Sequence, residues 1–129
     1  MPEFKLNKLV RDKLPYDYKK LGQVAKYKEL TLAEHKAELI NKLIEEADEM
    51  KAVGSIDEIK SEIADVQQAL DDLIKLYDIN PIEINKIQQK KFDKKGGFSN
   101  GVFVETIKLN DDDEWVSYYR ANSDIFPEV

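Results

Sequence analysis

Two consecutive segments of this chain carry apolar residues at the three- and four-residue spacing of amphipathic helices. Each segment is preceded by a helix-capping residue, because Thr31 and Ser55 are both followed three residues later by a glutamate. We therefore predict one helix over about residues 32–53 and a second over about residues 56–77. Since little more than Gly54 separates the two, they are expected to form an antiparallel hairpin.

Shorter elements are predicted on either side of the hairpin. Pro15 suits the first turn of a short helix that Gly22 ends, and Pro81 suits the start of a third long helix that Gly96 ends. The segment 102–109 is rich in β-branched residues and is typical of a strand, which is expected to pair with residues 24–30 in a small β element.

These elements predict a mainly α fold in a single domain, 1–129, with a helical core at about 31–95 and a C-terminal strand and tail at 102–129. A two-helix hairpin has too little core of its own to bury both of its apolar stripes. We therefore expect two chains to pair into a four-helix bundle, as a homodimer or as a tetramer built from dimers.

Composition excludes several classes of site and partner. The chain has no cysteine and one histidine, which excludes disulfides, zinc–thiolate centres, cysteine nucleophiles and His-rich metal sites. No apolar run reaches the length of a transmembrane helix, and the N-terminus has no signal-peptide core, so we expect a cytoplasmic protein without a membrane partner. Because the formal net charge is −6, we do not expect the chain to bind nucleic acid stably.

The order of the charges along the chain is more informative than their total. Residues 5–28 carry a net charge of +6, residues 31–78 of −8 and residues 86–95 of +4. An acidic metal site flanked by phosphate-binding bases produces such a layout, and so do unrelated solvated helix faces that never meet. Charge alone favours the second interpretation.

The two long helices share a short acidic pattern. Glu45, Glu46 and Glu49 form E-E-x-x-E, and after twelve residues Glu62 and Asp65 form E-x-x-D. Helix positions three apart lie only about 60° apart, so each motif places a pair of carboxylates on one face. Both pairs border the apolar stripe of their helix, and in an antiparallel hairpin they face each other at a similar height.

Four carboxylates that converge at the edge of a core repel one another. At an effective dielectric constant of about 20, each pair of like charges at 4 Å costs roughly 4 kcal/mol. Such a site needs protonation, basic partners or a cation, and hard oxygen ligands favour Mg²⁺, with Mn²⁺ as the second choice. The alternative is that these are ordinary surface glutamates paired with Lys42, Lys51 and Lys60, and the spacing leaves the two interpretations about even.

The acidic pattern resembles the signature of the MazG-like all-α nucleoside triphosphate pyrophosphohydrolases. The opening Asn7-Lys8-Leu9-Val10-Arg11-Asp12-Lys13-Leu14-Pro15 is similar to the N-terminal "KLVRDKIP" motif of a phosphoribosyl-ATP pyrophosphohydrolase-like branch. Lys90-Lys91, followed by Lys95-Gly96-Gly97-Phe98, resembles the "KK…RGGF" segment of that branch. The three motifs occur in the family's order and span residues 7–98.

The resemblance implies a metal site and a catalytic group. Glu46, Glu49, Glu62 and Asp65 would bind Mg²⁺ between them. Glu45 would support the ligands without binding the metal itself, or it would help to orient or deprotonate the attacking water. Phosphoryl transfer depends on positioning and charge neutralisation more than on a protein nucleophile, which suits a chain with these residues.

The resemblance also gives the basic flanks a role in neutralising substrate phosphates. The residues expected to do so are Arg11, Lys13, Lys91, Lys94 and Lys95. An arginine binds phosphate bidentately, whereas a lysine acts as a point charge. Lys95 stands where the family commonly has arginine, so a bidentate contact is not expected there.

The implied function is Mg²⁺-dependent hydrolysis of a nucleoside triphosphate, or a related nucleotide, to the monophosphate and pyrophosphate, in the manner of nucleotide-pool house-cleaning. A narrower alternative is phosphoribosyl-ATP pyrophosphohydrolase activity in histidine biosynthesis. A contrasting alternative is a non-enzymatic helical interaction module, which the exposed charged faces and the aromatic tail would serve.

Overall fold

A computed structural model describes all residues from 1 to 129 and contains five helices and no strand. The helices are α1 (Leu14–Lys20), α2 (Leu32–Met50), α3 (Ile56–Leu76), α4 (Pro81–Lys95) and α5 (Trp115–Ala121). The prediction of a mainly α fold is therefore confirmed. No helix of the chain is both long enough and apolar enough to cross a membrane.

Helix α2 begins at the predicted capping box. The Thr31 hydroxyl accepts a hydrogen bond from the amide of Glu34 at 3.2 Å, and the Glu34 carboxylate accepts one from the amide of Thr31 at 3.0 Å. These two bonds satisfy amides that the first turn of a helix leaves free. Helix α2 ends at Met50, a few residues before the predicted end.

Helix α3 begins in a similar way, since the Ser55 hydroxyl accepts a hydrogen bond from the amide of Glu58 at 3.2 Å. Only residues 51–55 connect α2 to α3, and these two helices make the main packing contact of the fold. Because the link is this short, α3 runs back alongside α2. The two helices therefore form the helical hairpin that the spacing predicts.

The core of the hairpin is small. Leu39 of α2 and Ala69 of α3 are buried, and the third buried side chain belongs to a charged residue, Glu46. Large apolar residues on both helices stay substantially exposed, among them Ile40, Ile44, Ile63 and Leu70. We call these four residues the apolar flank of the hairpin.

The small β element that the sequence predicts is not confirmed. Residues 24–30 and 102–109 form no strand, and neither segment takes part in a backbone hydrogen bond. A strand is defined by such bonds to a neighbour, which β-branched composition alone does not provide.

The chain divides into two compact units, Met1–Gln89 and Lys90–Val129. The second unit has its own aromatic cluster on and after α5, a helix that the sequence analysis did not predict. Ring centroids in this cluster lie 5.3 Å apart for Trp115 and Tyr118, and 5.1 Å apart for Tyr119 and Phe126. Both pairs meet edge to face, a favourable geometry for aromatic rings.

Candidate metal centre

The hairpin brings the two acidic motifs together. Oxygen atoms of Glu45, Glu46 and Glu49 on α2 lie within 4.8 Å of one another. Oxygen atoms of Glu46, Glu62 and Asp65, from both helices, also lie within 4.8 Å of one another. Glu46 belongs to both groups and therefore joins them into one cluster. We call these five residues the acidic cluster.

Glu46 is the most deeply placed member of the acidic cluster, with only 5% of the residue exposed. Its Oε1 atom lies 3.3 Å from the Lys42 ammonium, but its Oε2 atom is buried and receives no hydrogen bond. Glu62 Oε2 is buried and without a hydrogen bond in the same way. Buried carboxylate oxygens without a donor are costly, so these two atoms require a proton or a cation.

Three bases partly neutralise the acidic cluster. Lys42, one turn earlier on α2, lies 3.2 Å from Glu45 Oε2, and Lys8 lies 3.4 Å from Glu45 Oε1. Arg11 lies 2.6 Å from Asp65 Oδ1. Glu49 and Glu62 have no salt-bridge partner, so five carboxylates share three bases.

The crowding of carboxylates changes the protonation of the acidic cluster. A protonated Glu62 can donate a hydrogen bond to Glu46, and this raises the pKa of Glu62 to about 7; burial and the negative charge of Glu49 act in the same direction. Near neutral pH Glu62 is therefore only partly ionised. Burial lowers the pKa of the Lys42 ammonium, but the hydrogen bonds to Glu45 and Glu46 outweigh it and raise the pKa overall.

The structure places the predicted phosphate-binding residues in both compact units of the chain. Arg11 contacts the acidic cluster directly through Asp65. Lys13 is exposed, precedes α1 and forms no salt bridge. Lys91, Lys94 and Lys95 are exposed residues in the last turns of α4, within the second unit of the chain.

The donor set of the acidic cluster fits a hard divalent cation. The four candidate ligands, Glu46, Glu49, Glu62 and Asp65, are all carboxylates, which Mg²⁺ and Mn²⁺ prefer. One oxygen each of Glu46 and Glu62 is buried and accepts no hydrogen bond. The alternative of ordinary surface glutamates does not describe Glu46, which is buried. It does describe Asp48, which is exposed and pairs with Lys51 at 3.5 Å.

Two residues at this site were not assigned to it by the sequence analysis. Lys42 was considered only as a surface salt-bridge partner, although its spacing of three and four residues from Glu45 and Glu46 already predicts contact with both. Lys8 lies within the N-terminal motif, but 37 residues separate it from Glu45, and no local spacing rule connects them.

The chain was compared with protein-family models, with curated proteins and with solved structures. None of the three comparisons finds a match, so the resemblance to MazG-like enzymes rests on the motifs quoted above.

Proposed function

We propose that this chain is a Mg²⁺-dependent nucleotide pyrophosphohydrolase of the MazG-like type, with the acidic cluster as its metal centre. The observation that carries the proposal is the buried Glu46 carboxylate, whose unpartnered oxygen lies among carboxylates from two helices. The salt bridge from Lys42 reaches only the other oxygen of Glu46, so this oxygen has no donor. A cation bound at this position would supply the missing positive charge.

The chemistry of the proposed reaction matches what these residues offer. When bound, Mg²⁺ would neutralise negative charge on the substrate phosphates and favour attack by water. Glu46, Glu49, Glu62 and Asp65 would hold the ion. The chain has no cysteine, and the proposed hydrolysis needs no covalent intermediate on the protein.

Glu45 is the candidate for orienting the attacking water. Its two carboxylate oxygens are each held by a different lysine, Lys8 on Oε1 and Lys42 on Oε2. A carboxylate fixed at both oxygens has few orientations available, which favours the positioning that phosphoryl transfer requires.

The direct test is release of pyrophosphate from a panel of nucleoside triphosphates and from phosphoribosyl-ATP, with Mg²⁺ and with EDTA. We expect activity with Mg²⁺ only, and Glu46→Gln should reduce both activity and Mg²⁺ affinity by at least about 100-fold, beyond what changes outside the ligand set usually cost. Asp48→Asn is the matched control, since it removes one exposed acid of the same helix. Equal Mg²⁺ affinity in wild type and Glu46→Gln would refute the metal centre.

We also propose that the active form is a homodimer in which two hairpins make a four-helix bundle. At about 100° per residue, Ile40 and Ile44 lie on the side of α2 opposite to Glu45 and Glu49. In the antiparallel hairpin, Ile63 and Leu70 lie on the side of α3 next to the side of α2 that carries these two isoleucines. The apolar flank is therefore continuous across the hairpin, and burying it against a second copy would leave the acidic cluster accessible.

A non-enzymatic interaction module remains the second candidate, because the same apolar flank would also suit a different protein. The pyrophosphate assay separates the two. A chain that binds neither Mg²⁺ nor any nucleotide, while binding a protein partner tightly, would support the interaction module.

A further inference from the structure

The N-terminal segment, residues 1–13, contacts the acidic cluster through two bases. Arg11 Nη2 lies 2.6 Å from Asp65 Oδ1, and Lys8 Nζ lies 3.4 Å from Glu45 Oε1. The segment has no regular secondary structure, and only Leu9 and Val10 are partly covered. With so little apolar burial, the two salt bridges are a large part of what holds this segment to the hairpin.

The Arg11 salt bridge uses a carboxylate that the proposed metal centre also uses. An oxygen of Asp65 lies within 4.8 Å of oxygens of Glu46 and Glu62, so it is placed to share a cation with them. Hard divalent cations bind carboxylate oxygens at about 2.0–2.6 Å. A guanidinium in contact with the same carboxylate would then lie beside a divalent charge of its own sign.

We infer that Arg11 competes with a divalent cation for Asp65, and that Arg11 leaves Asp65 when the cation binds. The inference rests on the proposed metal centre and adds a regulatory step to it. The salt bridge partly neutralises the acidic cluster, and its release frees a planar guanidinium, which is suited to bidentate contact with a phosphate.

Calorimetric titration with Mn²⁺ alone tests the competition. If Arg11 competes, Arg11→Gln should bind Mn²⁺ about two- to fivefold more tightly than wild type, in line with the small worth of a partly exposed salt bridge. Lys60→Gln is the matched control, because Lys60 is exposed on α3, forms no salt bridge and carries the same charge. Its Mn²⁺ affinity should equal that of wild type.

Limited trypsin digestion gives a second measurement, read as the rate of cleavage between Lys8 and Leu9. In wild type we expect Mn²⁺ to increase this rate, because the segment loses its contact with Asp65. In Arg11→Gln the rate should be high with or without Mn²⁺. Cleavage after Lys108, an exposed residue of the second unit, should not change in either protein.

The outcomes separate this inference from the proposed function. If wild type binds Mn²⁺ but Arg11→Gln binds it no more tightly, or Mn²⁺ leaves cleavage after Lys8 unchanged, the competition is refuted and the metal centre stands. Weaker binding by Arg11→Gln would mean that Arg11 supports the site, which also refutes competition. If neither protein binds Mn²⁺, the metal centre fails and the inference fails with it.

Discussion

At the scale of single residues, the acidic cluster combines one buried carboxylate with bases that satisfy it only in part. Lys42 contacts Glu46 through one oxygen, while the other oxygen faces the interior without a donor. Removing one partner of a buried charge pair is strongly destabilising, whereas adding a missing counter-charge is favourable. A proton or another positive charge placed at this oxygen would therefore stabilise the cluster.

The raised pKa of Glu62 predicts that the stability of the metal-free protein depends on pH. The pKa of Glu62 is about 7 in the folded chain against an ordinary value of 4.5. Between these two pH values the folded state binds more protons at this position than the unfolded state. The contribution of Glu62 to the free energy of unfolding is thus largest below pH 4.5 and falls as the pH rises towards 7.

The measurement is the melting temperature in EDTA as a function of pH. Wild type should lose stability across this window relative to Glu62→Gln, whose side chain does not titrate. Asp71→Asn, which removes an exposed acid from the same helix, should keep the wild-type slope. Identical slopes for wild type and Glu62→Gln would contradict the proton-sharing arrangement.

At the scale of helices, the capping box of α2 and the Ser55 N-cap of α3 mark where the site-bearing helices begin. The hydrogen bonds of Thr31 and Glu34 fix the first turn of α2, and that of Ser55 fixes the first turn of α3. The position of each acidic residue along its helix follows from these starts. Because α2 and α3 are linked by so few residues, a shift of either start would misalign the two motifs.

Thr31→Ala should therefore destabilise the chain by about 1 kcal/mol, the usual cost of losing a helix N-cap. Urea denaturation followed by circular dichroism measures this change. Ser61→Ala, at an exposed position in the middle of α3, is the control and should change stability little. If Thr31→Ala loses no more stability than the control, the capping box contributes nothing to the stability of the chain.

The helices of the site could be predicted because their signals are local. Pro81 begins α4 and Lys95, just before Gly96, ends it, as the sequence indicates. The contact of Lys42 with Glu45 also follows from spacing alone. The pairing of Arg11 with Asp65 could not be predicted, because 54 residues separate them and only the folded chain brings them together.

The strand prediction at 102–109 was not confirmed for a related reason. Residue preference describes one segment, whereas a strand depends on a partner that preference does not specify. Helix α5 was missed because its aromatic residues, including Trp115 and Tyr118, do not show a long apolar repeat. Their short-range ring contacts hold that segment instead.

At the scale of the whole molecule, the apolar flank is the main apolar surface that the hairpin leaves exposed. Ile40, Ile44, Ile63 and Leu70 are 43%, 56%, 43% and 44% exposed. Large contiguous apolar patches are typical of interfaces, which is why we propose that a second chain covers these four residues. The proposed four-helix bundle would bury it and complete the core that the single hairpin lacks.

Wild type should therefore have a mass in solution of twice 14.9 kDa, or a multiple of that value. Ile44→Glu should give monomers, because a charge in the middle of the apolar flank would be buried without a partner. Val24→Glu, which changes an exposed apolar residue outside the hairpin, should leave the mass unchanged. Light scattering coupled to size-exclusion chromatography makes the measurement, and a monomeric wild type would contradict the dimer.

The short link between α2 and α3 has a consequence for how the site comes into being. The whole acidic cluster lies within residues 45–65, so its carboxylates meet through one small loop closure rather than through contacts between distant parts of the chain. Contacts between near neighbours in sequence form fast and lose little entropy on closure. The hairpin can therefore assemble its cluster while the chain is still being synthesised, before α4 and the C-terminal unit have left the ribosome.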